Sequence, residues 1–234
     1  MSWRSHGKNN QELVDKLEEN VLITSQEVKY AMLRVDRQNY CPTSPYKDRP
    51  QGIRYNVTIS APHMNAHALE LLKDHLRPGM KALDIGSGSG YLTVCMALMV
   101  GDNGMVVGVD HIQELVDWSR QNMKKDGKED MLNKRSIMLV VGDGRKGFIE
   151  EAPFDAIHVG AAADGIPKDL IDQLNFGGRM AAPVGSPGGE QYMEQFDKDE
   201  HGQVSRKRLF GVRYVPLTDK RIQYNTQDLI IDKP

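Results

Sequence analysis

Cysteine is scarce: Cys41 and Cys95 are the only two among 234 residues. They lie far apart and neither belongs to a CxxC or CxxH pattern, which excludes a cysteine-based zinc site. No metal is expected, and Cys95, set in an apolar helical run, reads as core filler. Long apolar stretches are also missing. The longest, Tyr91 to Val100, falls far short of the ~20 residues that span a bilayer. The polar start, Met1 to Asn10, lacks the apolar core of a secretory signal. Nor is one sign of charge in excess, with 30 Lys+Arg against 32 Asp+Glu and a formal charge of −2. That balance argues against a broad nucleic-acid-binding surface. The expectation is a soluble, cytoplasmic chain with no membrane or nucleic-acid partner.

What is present suits a globular fold. Hydrophobic residues make up 39% and charged residues 26%, with mean hydropathy −0.51. A chain of this length buries roughly 70–75% of its unfolded surface, enough for one sizeable core. No repeat or Pro/Gly/Ser linker divides it. The reading is one domain, with residues 1–79 an N-terminal helical and substrate-covering segment and residues 80–234 a sheet core. Thr24-Ser-Gln-Glu27 fits a capping box before Val28, Ala31, Met32 and Val35 at helical spacing. A proline-dense stretch, Cys41 to Pro50, leads to Val57-Thr-Ile-Ser-Ala-Pro62, and a helix is expected from about His63 to Leu76.

From Met80 short apolar runs alternate with helical stretches. Strands are expected at Lys81–Ile85, Met105–Val109, Ile137–Val141, Asp155–Val159 and Arg179–Val184. Helices are expected at Ser89–Val100, Ile112–Lys125 and Pro167–Leu174. This rhythm predicts an α/β fold: a doubly wound, mostly parallel sheet of Rossmann-like type, covered on both faces. Gln191–Phe196 and Gln203–Val215, around the polar turn Asp197–Gly202, predict an antiparallel strand pair at the sheet edge.

The stretch Leu83-Asp-Ile-Gly-Ser-Gly-Ser-Gly-Tyr91 stands where the first of these five strands must turn into a helix. Gly86, Gly88 and Gly90 permit positive φ and close approach of a ligand to the backbone, although glycine turns also occur without ligands. Asp110 closes the next strand, 24 positions after Gly86, where doubly wound sheets place an acid that binds ribose hydroxyls. Together these features point to an adenosine-containing cofactor. Tyr91 stands where the dinucleotide fingerprint needs glycine or alanine, and no Gly-Lys-Ser/Thr follows, so neither dinucleotide nor phosphate-loop patterns are met.

Asp84-x-Gly-x-Gly-x-Gly90 resembles motif I of class I S-adenosylmethionine-dependent methyltransferases. Four more segments resemble one family among them, the protein-L-isoaspartate (D-aspartate) O-methyltransferases: Thr58-Ile-Ser-Ala-Pro-His-Met64, Gly142-Asp-Gly-Arg-Lys-Gly147, Ala156-Ile-His-Val-Gly-Ala-Ala-Ala163 and Val215-Pro-Leu-Thr-Asp219. They occur in the family's order across nearly the whole chain. The resemblance implies repair chemistry: a methyl group moves from S-adenosylmethionine to the free carboxylate of L-isoaspartyl or D-aspartyl residues in age-damaged proteins, leaving S-adenosylhomocysteine. It implies that Ser60 is the active-site serine, that Asp110 holds the ribose, and that Asp143 and Gly144 lie near the adenine. Gly86, Ser87 and Gly88 match the loop around the amino-acid part, and Thr58, Thr218 and Gln223 match positions lining or closing the pocket. Ile59, Ser60 itself, Asn65, Asp84 and His111 complete the implied cofactor set, with Asp84 equally readable as a scaffold for the loop.

The chemistry suits these residues. A sulfonium methyl is already activated, and an α-carboxyl with a pKa of about 3.5 is ionised at neutral pH. No general base is needed; Ser60 is expected to aim the carboxylate by a hydrogen bond and not to attack covalently. Ala161, Ala162 and Ala163 are either small residues that admit a peptide backbone or simple tight packing, and His63 reads as a packed or capping histidine. The chain departs from the family pattern at Asn65, usually histidine, and at Asp164, usually proline. Asp164 is expected near the entrance, where it would repel an anionic substrate by about 1 kcal/mol if solvated. The alternative reading is a methyltransferase-like adaptor that keeps the cofactor and has lost transfer. A nucleic-acid-modifying enzyme is disfavoured, since His158-Val-Gly-Ala-Ala stands where base N-methyltransferases carry Asn/Asp-Pro-Pro-Tyr/Phe. A monomer with an open cleft is the expected assembly.

Overall fold

A computed structural model of the chain describes residues 4–186 and 188–219. Helices α1 (Asn10–Glu19) and α2 (Gln26–Arg34) open the fold. The proline-dense stretch then leads to a small antiparallel ribbon, β1 (Gln51–Gly52) with β2 (Thr58–Ile59), and to α3 (Pro62–Leu72). Proline-rich chain cannot donate to a ladder or continue a helix, so residues 41–50 cross the surface as turns. The sheet comprises β3 (Lys81–Ile85), β4 (Met105–Asp110), β5 (Ile137–Val141), β6 (Phe154–Val159), β7 (Leu174–Val184), β8 (Gln191–Lys198) and β9 (Val204–Val212), with α4 (Tyr91–Val100), α5 (Gln113–Lys125), α6 (Glu129–Asn133) and α7 (Lys168–Asp172) between its strands.

The seven strands lie in the order β5-β4-β3-β6-β7-β8-β9. Those from β3 to β7 pair in parallel, and β8 and β9 add antiparallel to the β7 edge. The mostly parallel α/β sheet with a terminal antiparallel pair is the expected class. Side chains alternate across it. Ala82, Val106 and Ile137 pack with α1 to α5 on one face, whereas Leu83, Ile85, Val107 and Val109 pack with Leu170, Leu174 and Phe196 on the other. Burial on both faces explains why the central strands read as continuous apolar runs. Helix α4 is buried on nearly every side, Cys95 included, which accounts for its lack of a polar stripe.

Several boundaries differ from the sequence expectation. Helix α3 stops at Leu72 and a 3-10 turn covers Lys73–His75. Helix α7 is shorter than predicted because Gln173 leaves the helix and spends its amide on Phe148 N, Lys146 O and Asp169 O. Strand β7 consequently begins at Leu174, ahead of the predicted Arg179. The short α6 was not foreseen. The expected capping box is replaced: Ser25 is the N-cap of α2, with no side-chain cap bond, and Glu70 of α3 accepts from the amides and hydroxyls of both Thr24 and Ser25. A tertiary carboxylate thus does the work that Glu27 was expected to do. Among the described residues no helix is long and apolar enough to cross a membrane.

Candidate functional site

Strand β3 lies between β4 and β6, so the chain leaves β3 toward one neighbour and returns later to the other. Crevices form at the carboxyl ends of strands at such a switch point, and the described pocket sits there. The turn out of β3 passes through Gly86, Gly88 and Gly90, all at positive φ. Gly90 is the most constrained: its φ is +84°, and a Cβ there would lie 2.8 Å from Met123 Cε. Amides of Gly86 and Ser87 donate to Val109 O at 2.8 and 3.1 Å, fastening the loop to β4. Ser87 Oγ is buried and has no partner among the described residues.

Asp110 ends β4 beside this loop and is only 7% exposed. Its Oδ2 accepts from Gly88 N and its Oδ1 from Ile112 N, each at 3.1 Å. Burial holds its carboxyl above the usual value, against the pull of the Ile112, Gly88 and His111 amides. A carboxylate offers about four acceptor positions, so three amides leave room for a hydroxyl donor. Asp84 differs. Its oxygens engage Thr93 Oγ1 at 2.6 Å and His158 Nδ1 at 2.8 Å, because strand pairing sets Asp84 directly beside His158. It supports the cavity floor from within the sheet.

Ser60 follows β2 on the opposite wall. Its carbonyl accepts from Arg37 Nη2 at 2.6 Å, and its side chain pairs with the phenol of Tyr214, which burial pushes up to about 12 and so keeps protonated. Gln191 clamps the Tyr214 backbone through both amide atoms. The mouth is spanned by residues 215–219. Val215 O and Leu217 N bond to Ala162, while Arg145 links Asp143 and Asp219. The side-chain bond from Arg145 draws the Asp143 carboxyl below its ordinary value.

These walls bound one cavity of about 280 Å³, lined by Thr58, Ile59, Ser60, Asn65, Asp84, Gly86, Ser87, Gly88, Asp110, His111, Asp143, Gly144 and Thr218. Thirteen candidate positions scattered over the sequence therefore share one surface; Gln223 lies outside the described residues. The arrangement fits S-adenosylmethionine: an unpartnered Ser87 hydroxyl, a spare acceptor position on Asp110 and a glycine turn meet in one space.

Comparison with known proteins gives the arrangement a family. The family model for protein-L-isoaspartate(D-aspartate) O-methyltransferase (PCMT) matches residues 8–222. A protein-L-isoaspartate O-methyltransferase of Caenorhabditis elegans is 52% identical, covering 96% of this chain and 99% of that one. The chain belongs to this family. Protein-L-isoaspartate O-methyltransferase 1 of Arabidopsis thaliana is 50% identical over 92% of this chain and 93% of its own. Among solved structures, a Plasmodium falciparum PCMT in complex with S-adenosyl-L-homocysteine has a TM-score of 0.84 and 36% identity, covering 91% of this chain and 99% of that one. The fold is thus the class I Rossmann-like methyltransferase fold.

Other expectations are sorted by the geometry. Ala161 lines the cavity, but Ala162 and Ala163 spend their backbones on Val215, Leu217, Pro183 and Gly185, so packing governs those two. Asp164 does not line the cavity; it accepts from Ser186 Oγ in a separate depression shared with Arg206 and Arg208. The charge expected near the entrance thus lies outside the cavity lining, in a depression where Arg206 and Arg208 pair with Glu194. His63 packs against Asp48, whose Oδ1 accepts from its amide and meets its Nδ1. Sequence reasoning missed Arg37, Tyr214 and His158 as parts of the site. Only His158 carried a signal, as the one imidazole inside a buried strand run.

Proposed function

We propose that this chain is a protein repair enzyme that transfers a methyl group from S-adenosylmethionine to the free carboxylate of L-isoaspartyl and D-aspartyl residues in damaged proteins. The observation that carries the reading is that Ser60 shares one cavity wall system with the glycine loop and Asp110, in a chain 52% identical to a named family enzyme over 96% of its length. When bound, the cofactor's sulfonium supplies an activated methyl group.

This chain's residues do the rest. Asp110 receives the ribose on its spare acceptor position, Asp143 and Gly144 flank the adenine, and the loop Gly86–Gly88 borders the amino-acid part. Thr58, Ile59, Asn65, His111 and Thr218 complete the lining, with Asp84 bracing the floor. Ser60, held by Arg37 and Tyr214, donates a hydrogen bond that aims the incoming carboxylate. Alignment of this kind supplies up to about 7–11 kcal/mol of a barrier. The carboxylate arrives ionised, so no wall residue has to remove a proton. Reacting charges of opposite sign cancel as the bond forms, and a low-dielectric lining strengthens their attraction; Ile53, Val57, Ile59, Leu92 and Val109 provide it.

The partners in this reading are isoaspartyl-containing proteins, met by a cytoplasmic monomer without membrane or nucleic-acid contacts. The N-terminal segment up to residue 79 covers the substrate side of a single unit whose core is the sheet that begins at residue 80. Mass spectrometry of an isoaspartyl peptide after incubation with S-adenosylmethionine tests the reading: one added methyl group supports it. Cofactor binding without that gain favours the adaptor.

A further inference from the structure

Arg37 does not line the cavity, yet it touches three residues that do, Ser60, Asn65 and Tyr91. The side chain is fully buried, and its guanidinium donates to Ser60 O and, at 3.0 Å, to Asn65 Oδ1. It lies over the Tyr91 ring, 5.0 Å from the centroid. Asn10 of α1 accepts from the Arg37 amide at 3.4 Å and donates to Met32 O, so the residue is anchored from behind as well. Among the described residues no carboxylate pairs with this cation. Burying a guanidinium without such a partner is unfavourable, and filling space between helices does not require it.

The consequence falls on Asn65, which is 5% exposed and lines the cavity. A guanidinium carries five donors and no acceptor, so the atom facing it must be the amide oxygen. Asn65 Nδ2 is thereby turned away from Arg37, and it has no hydrogen-bond partner among the described residues. We infer that Arg37 is a positioning residue that locks the Asn65 amide with its NH2 toward the cavity, as a donor for a ligand carboxylate. This rests on the methyl-transfer reading above. Two ligand groups share that chemistry: the amino-acid carboxylate of the cofactor and the carboxylate to be methylated.

Asn65→Asp decides between positioning and packing. Aspartate gives Arg37 the ion-pair partner it lacks while removing the donor and turning an oxygen toward the ligand. A purely structural Asn65 predicts a variant at least as stable as the parent and unchanged in binding. Positioning predicts an equal or higher thermal midpoint together with a loss of at least about tenfold toward one carboxylate, the scale of one hydrogen bond to a charged group. Weaker S-adenosylhomocysteine binding with unchanged 5′-methylthioadenosine, which lacks the amino-acid carboxylate, assigns the donor to the cofactor. A raised KM for isoaspartyl peptide with unchanged S-adenosylhomocysteine affinity assigns it to the acceptor. Arg37→Met should weaken the same arm, and the double variant should add little further. The inference is overturned if Asn65→Asp keeps both ligands within twofold, or if it weakens 5′-methylthioadenosine equally while losing stability. Should the parent protein bind S-adenosylhomocysteine but methylate nothing, the reaction reading fails, and the two cofactor analogues still decide the role of Arg37.

Discussion

Replacing Asp110 by asparagine preserves shape and removes one acceptor oxygen. In the folded chain Oδ2 accepts from Gly88 N and Oδ1 from Ile112 N, each at 3.1 Å, and the His111 amide is a third donor to this carboxylate. Asparagine must turn its NH2 against one of those amides, and the remaining oxygen must then serve both the loop and the ribose. One hydrogen bond to a charged acceptor contributes about 1.5–3 kcal/mol, so S-adenosylhomocysteine should bind roughly 10- to 150-fold more weakly. Calorimetric titration reads this directly. The pH dependence adds a second signature. Burial holds the Asp110 carboxyl above 3.8, whereas the unfolded chain titrates near the ordinary value. Between the two values the folded state keeps the extra proton, so this group's contribution to stability falls as pH rises through that window. Ribose hydroxyls favour the ionised form, so affinity should rise with pH over the same window and level off above it. Asp110→Asn should flatten that rise. An affinity within threefold of the parent, or an unchanged pH profile, would refute the assignment of Asp110 to the ribose.

Ser60→Ala should lower transfer to an isoaspartyl peptide by about 10- to 100-fold, the worth of one hydrogen bond to a carboxylate, with S-adenosylhomocysteine affinity nearly intact; full activity would remove its aiming role. Tyr214→Phe should release the Ser60 side chain and cut kcat by about fivefold, consistent with one neutral hydrogen bond of about 1 kcal/mol, measured by initial rates at saturating cofactor. Glu70→Gln should destabilise the fold by about 1–2 kcal/mol in urea unfolding, through loss of a helix cap. Burial pushes the Glu70 carboxyl up, but four bonds from Thr24 and Ser25 outweigh it and bring it down to about 2. That stabilisation is present above the ordinary carboxylate value and is lost as pH falls toward 2, a slope the glutamine variant should lack.

Sequence carried the site wherever chemistry and local conformation coincide. The glycine turn must be glycine, the acid after β4 must follow a strand, and the Thr58 to Met64 segment is diagnostic as a string of residues. Strand positions were legible for the same reason, since burial on both faces leaves unbroken apolar runs. Arg37 and Tyr214 were illegible because their partners lie 23 positions away at Ser60 or arrive from the far edge of the sheet. Glu70 outcompeted Glu27 as the cap of α2 in the same way: helix packing delivered it, and local spacing does not record that. His158 stood in a quoted motif, but its role depends on the register that seats it beside Asp84.

A pair of peptides identical except for one linkage, isoaspartyl in one and aspartyl in the other, tests the account most directly. Incubated with the chain and S-adenosylmethionine labelled in its methyl group, the isoaspartyl peptide should acquire a base-labile labelled ester and its aspartyl twin should acquire none. Label on neither peptide, or equal label on both, with the cofactor still bound, would contradict it.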